Sequence, residues 1–195
     1  MVIGITGGIG SGKSQVLSLM KQEFGAELLV ADDIAHQLTE PGHSCYEHIL
    51  DEFGSEVLSE DGSINRKKLS EIVFSNPVCL KKLNKIVHPM VKEYIRGEIS
   101  CVQLEDPAKI IVIEAALLIE DHYDEICDEI WYVYATEEVR RERLKKSRGY
   151  SDEKIDDIMK NQLSDEQFRK SCQKIIDNSG TPEETLQELK KALEF

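Results

Sequence analysis

The sequence predicts an α/β fold, a five-stranded parallel sheet flanked by helices, on three observations. Apolar runs short enough for strands recur at residues 2–6, 27–31, 110–114, 129–135 and 174–177, with helical periodicity between most of them. Strands that alternate with helices imply parallel pairing, because each crossover lays a helix on a face of the sheet. A glycine-rich turn joins the first apolar run directly to the first helical one. At 195 residues the chain fits a single domain, 1–195, with insertions, and such a length buries roughly 70% of the unfolded surface.

The first strand, 2–6, runs into Gly7-Gly8-Ile9-Gly10-Ser11-Gly12-Lys13-Ser14, the pattern GxxxxGKS. Glycines at this spacing let backbone N–H groups turn inward and cradle phosphate oxygens, while the lysine reaches the β- and γ-phosphates and the serine hydroxyl ligates Mg²⁺. Val16, Leu17, Leu19, Met20 and Phe24 follow at helical spacing, so the loop opens a helix whose N-terminal partial charge favours an anion. A strand before and a helix after make this a P-loop NTPase fold. The cofactor-binding candidates are Gly8, Ile9, Gly10, Ser11, Gly12, Lys13, Ser14 and Gln15.

The second strand, 27–31, is followed by Asp32 and Asp33. Phosphoryl transfer to a hydroxyl needs a carboxylate to take the proton, and in parallel sheets such residues lie beyond the C-terminal strand ends. Asp32 is the candidate base, and Asp33 reads as the cap of the helix entering at Ile34. From 44 to 104 the pattern is helical with no strand, a helical insertion in which Asn76-Pro77 starts one helix. The third strand, 110–114, ends on Glu114, either a carboxylate beside Mg²⁺ or a strand-end acid in a turn. After the fourth, 129–135, residues 137–173 are again helical and carry Arg140, Arg141, Arg143, Arg148 and Arg169. They form either a lid over a ligand or a solvated helix face pairing with acids. Ser164–Gln167 and Thr181–Glu184 are capping boxes, the second opening the last helix after the strand at 174–177.

The net charge of -13 argues against a nucleic-acid partner, since that contact needs cations to displace condensed counterions. No run approaches the ~20 apolar residues that span a bilayer, and the first residues form a strand rather than a leader. The five scattered cysteines, none in a CxxC pair, read as buried reduced thiols. A soluble cytoplasmic protein is expected, a monomer or weak homo-oligomer with no membrane partner. Asn84-Lys85-Ile86-Val87 lacks the aspartate of a guanine-binding NKxD, and Asp51–Gly54 closes a helical pattern. A GTPase switch is therefore not expected.

GITGGIGSGK, ADDIAHQLTEPG, FGSEVLSEDGSINRKKLSEIVFSNP, His88-Pro89 and IIDNSG stand in the order and spacing of the dephospho-CoA kinases, which the chain resembles over nearly its whole length. The resemblance implies transfer of the ATP γ-phosphate to the ribose 3'-hydroxyl of dephospho-CoA, with ATP and Mg²⁺ as cofactors. It implies Lys13, Asp32 and Arg143 as catalytic residues. The 44–104 segment becomes the CoA-substrate region, with Arg66 and His88 near the acceptor; a structural role for His88 at a helix start set by Pro89 is the alternative. Leu117 and Leu118 match an acceptor-pocket position, with core packing as the alternative. Asn178 would border the adenine, and Arg143 and Arg148 would reach from the lid to the nucleotide. The chain departs from the family pattern at Val30, usually aspartate, and at Ala116, usually proline. In the lid, Ser147-Arg148-Gly149 replaces RDG and Asp165-Glu166-Gln167-Phe168 replaces REER, so Arg148 and Arg169 each fall one residue late. A kinase for another small nucleoside-like acceptor, or a nucleotide-binding regulator with a degenerate lid, stays open.

Overall fold

The structure, a computed structural model, describes residues 1–194. In chain order the elements begin with β1 Val2–Thr6, α1 Lys13–Phe24, β2 Glu27–Val30, α2 Ala31–Leu38, α3 Ser44–Phe53, α4 Arg66–Ser75 and α5 Pro77–Glu105. They continue with β3 Ile111–Glu114, β4 Glu129–Tyr134, α6 Glu137–Arg148, α7 Asp152–Lys160, α8 Asp165–Ser171, β5 Lys174–Asp177 and α9 Pro182–Leu193. Two compact units result, one from Met1–Leu29 with the chain from Glu105 onward, the other from Val30–Leu104.

The first unit holds the five-stranded parallel sheet in the order β2-β3-β1-β4-β5. Central β1, Val-Ile-Gly-Ile-Thr, is buried at all five positions, as a strand covered on both faces must be. Its register sets Ile5 beside Trp131, and β4 sets Val133 beside Ile176. With Ile3 and Val112 these side chains make one face of the sheet, against which Val16 and Met20 of α1 and Leu189 of α9 close a core. On the other face Gly4 leaves room for Leu118 and Cys127. The chain runs from β3 to β4 across β1, so crossovers on the two sides of β1 diverge. Ligands of such sheets lie beyond the C-terminal strand ends at that point, where the glycine-rich loop begins.

The second unit is helical, packed around Cys45, Ile49, Val57, Leu69 and Val73. Asn65 caps α4 by accepting from Lys68 N at 3.1 Å, and Asn76 Oδ1 accepts from Val78 N at 3.0 Å at the start of α5. Two local readings need correction. The helix after β2 begins at Ala31, directly off the strand, so its N-cap is Val30 without a side-chain bond. Asp32 and Asp33 therefore lie in the first turn of α2, where carboxylates meet the positive helix end, and Asp33 is not the cap. Pro89 lies inside the 29-residue α5 rather than at a helix start. An interior proline costs about 3 kcal/mol. Apolar residues on both sides of it, Leu83, Ile86, Val87 and Met90 toward the unit's core and the buried Ile95 and Ile99, hold the helix continuous.

No helix among the described residues is long and apolar enough to cross a membrane. The thiols differ from expectation: all five are free, yet Cys45 alone is buried and Cys101 is exposed on α5. Burial pushes the Cys127 and Cys172 thiols up to about 12. A raised pKa keeps the neutral, unreactive thiol dominant below that value. Brief alkylation at pH 8 followed by peptide mass mapping should therefore find Cys101 modified first and Cys127 and Cys172 protected.

Candidate active site

The loop between β1 and α1 is closed by its own backbone and by Lys13. Ser11 N donates to Gly8 O at 3.1 Å, and Lys13 Nζ donates to Gly7 O at 2.7 Å. Gly12 sits at φ 86° as the N-cap of α1, and a side chain there would run into the Asn178 amide. Gly10, at φ 79°, lies under α6, whose Arg140 O would stand 2.9 Å from a Cβ. Only glycine meets both demands. The first turn of α1 holds no acidic residue, as in α4 and α5 but unlike α2, α6, α7, α8 and α9, which each carry two there. The positive end of α1 is thus left to an external anion. Within the loop Ser11 Oγ is buried without a hydrogen-bond partner, and so is Gln15 Nε2 in the first turn of α1. Such orphans in an otherwise satisfied structure fit a polar ligand.

A second layer grips the loop from outside. Arg143 donates to Ser11 O at 3.2 Å and to Asn178 O at 2.9 Å. Asn178, fully buried, donates to Ser11 O at 2.7 Å and accepts from Thr185 Oγ1 at 2.7 Å. The Asn178 side chain, expected beside an adenine, is committed to holding the loop. Arg140 donates through Nε to Ile9 O at 2.8 Å, and desolvation lowers its pKa from the usual guanidinium value. Gln162 accepts from Ile9 N at 2.9 Å.

The other sequence candidates of this unit separate by position. Ser14 is exposed at the start of α1, and the parallel register places half-buried Glu114 beside Ile5, two residues before the loop. Leu117 is 43% exposed, while Leu118 is fully buried against Gly4. Leu118 therefore packs in the core, the alternative left open for it. Arg148 is exposed at the end of α6 over the Tyr150 ring. Arg169 pairs with Asp165 at 2.7 Å and lies over Tyr134, 4.9 Å from the ring centre. Asp165 also accepts from Tyr132 OH at 3.0 Å, and Tyr132 stacks on Phe168 with centroids 4.7 Å apart. These contacts bind α8 to β4.

In the helical unit Asp32 and Arg66 line one cleft of about 420 Å³. Its apolar wall is Ile49, Ile64, Leu69, Val73, Leu83 and Val87, and His36 and Ser70 add polar groups. His88, half-buried on α5, does not line it.

A phosphate loop ahead of a helical unit with an acid- and arginine-lined cleft matches known proteins along the whole chain. Residues 1–184 match the dephospho-CoA kinase family. The chain belongs to the dephospho-CoA kinase family. A curated dephospho-CoA kinase of Aquifex aeolicus is 40% identical over 192 residues, 98% of this chain and 95% of its own. The crystal structure of TT1252 from Thermus thermophilus superposes with a TM-score of 0.81 at 30% identity, covering 99% of this chain and 95% of that one. A dephospho-CoA kinase from Campylobacter jejuni gives a TM-score of 0.74 at 25% identity, covering 98% and 94%. Membership of this family of P-loop kinases implies ATP binding.

The sequence placed Arg140 only within the arginine cluster of 137–173, and Gln162, Thr185 and His36 were not singled out. Arg140 had a signal, being three residues before Arg143 and so on the same helix face; His36 likewise lies one turn after Asp32. Gln162 and Thr185 had none, because only folding brings them to the loop and to Asn178. Replacing Asn178 by alanine removes bonds made at full burial. It should cost about 1–3 kcal/mol, read as a lower urea midpoint, and weaken nucleotide binding in the same samples.

Proposed function

We propose that this dephospho-CoA kinase family member transfers the ATP γ-phosphate to the ribose 3'-hydroxyl of dephospho-CoA, with Asp32 as the group that takes the hydroxyl proton. The observation that carries the assignment of Asp32 is its place in one cleft with Arg66, a carboxylate and a guanidinium over an apolar wall. Such a cleft suits a substrate with an anionic diphosphate and a less polar arm. The acceptor oxygen attacks the γ-phosphorus, the bond from that phosphorus to the bridging oxygen breaks, and the hydroxyl proton passes to the Asp32 carboxylate. CoA and ADP leave. Lys13, at the first turn of α1, holds the β- and γ-oxygens as charge builds on them. Arg143 contributes by fixing the loop at Ser11 O, and Arg148 lies over the Tyr150 ring at the end of α6.

Mg²⁺ fits the residues present. The Ser14 hydroxyl and the Glu114 carboxylate supply oxygen donors of the kind a hard cation takes. An ion bound to nucleotide takes its remaining ligands from phosphate and water. When bound, Mg²⁺ neutralises charge on the β- and γ-oxygens.

Incubation with MgATP and dephospho-CoA should yield a product heavier by one phosphoryl group. Lys13→Ala should abolish it, and Asp32→Asn should slow it by roughly 10² to 10⁴ with an unchanged circular dichroism spectrum. A chain that phosphorylates other nucleoside-like alcohols and leaves dephospho-CoA untouched would refute the acceptor assignment.

A further inference from the structure

Ile9, at the tip of the loop, is held at both its N–H and its C=O by residues outside the loop. Its N–H donates to Gln162 Oε1 at 2.9 Å, and its C=O accepts from Arg140 Nε at 2.8 Å. The two partners meet each other, Arg140 Nη2 donating to Gln162 Oε1 at 3.4 Å. The Arg140 guanidinium also fills the space that a side chain at Gly8 would need. One planar group thus spans a loop carbonyl and a side-chain amide oxygen, closing a ring of three hydrogen bonds around Ile9.

The ring joins distant parts of the sequence. Arg140 comes from α6, and Gln162 from the short link between α7 and α8. The helices on either side of that link are each tied down. Arg141 and Lys145 of α6 pair with Asp152 of α7, and Asp165 at the start of α8 accepts from Tyr132 of β4. Gln162 is therefore presented to the loop from a fixed frame.

We infer that Arg140 and Gln162 are positioning residues for phosphoryl transfer: they bracket Ile9 and hold the phosphate loop in its anion-receiving shape before the nucleotide arrives. A loop already shaped loses less conformational freedom on binding, so the bracket acts on ATP affinity. Neither residue touches the acceptor cleft. The fork of Arg140 is essential, because a lysine ammonium offers no planar pair of donors aimed at two separate oxygens.

This role presupposes that the loop binds ATP, so calorimetry starts with MgATP and the unaltered chain; no binding there overturns both readings. Arg140→Ala and Gln162→Ala should each weaken MgATP binding about tenfold. The double variant should be no weaker than the worse single, because either change opens the same ring. Arg140→Lys should bind as poorly as Arg140→Ala, and the KM for dephospho-CoA should stay within about twofold of its original value in all four. The bracket alone is overturned if Gln162→Ala binds MgATP as the unaltered chain does, if the two losses multiply, or if Arg140→Lys restores binding. Should Arg140→Ala fail to fold, Gln162→Ala decides alone, since its side chain is exposed.

Discussion

An anion can rest in a glycine-rich loop only if the loop's carbonyl oxygens, which would repel it, are engaged elsewhere. Here the carbonyls of Gly7, Gly8, Ile9, Ser11 and Gly12 each accept a hydrogen bond. Three of the five have a cationic side chain as donor: Lys13, Arg140 and Arg143. The same cations that offset a phosphate's charge in the family's chemistry thus first neutralise the backbone dipoles around its seat. The rest of the first unit serves this arrangement. The order of the sheet sets the loop beside the ends of β4 and β5, which supply α6 and Asn178.

Burial makes the arrangement rigid. Asn178 is fully buried with both ends of its amide bonded, and an amide so placed is costly to move because its alternative is an unsatisfied polar group. The arginines of α6 divide by direction. Arg140 and Arg143, three residues apart, face the loop, whereas Arg141 faces α7 and pairs with Asp152 and Asp156. A single helix therefore carries both the support of the loop and the attachment of the segment that follows it.

Much of the site was legible in the sequence. GxxxxGKS between an apolar run and a helical one fixes a backbone shape locally, through glycine conformations and one helix end, so Gly8 to Gln15 needed no tertiary information. Asp32 was legible as the first acid after a strand, though the start of α2 was placed too late because nothing local marks Val30 as a cap. The pair Leu117 and Leu118 stayed open for a different reason. Two adjacent leucines after a strand point to opposite environments, and only packing against Gly4 shows that Leu118 is the buried one.

By itself the sequence determined the strand and helix alternation, the phosphate loop and the family, since each depends on residues close together in the chain or on motifs in fixed order. Tertiary structure alone decided what the arginines do and where Gln162 goes. Arginine spacing along α6 says which side chains share a face, but their partners at Ile9 and Ser11 lie 131 and 132 residues away. Contacts of that separation depend on strand order and helix docking, which no local pattern of residues encodes.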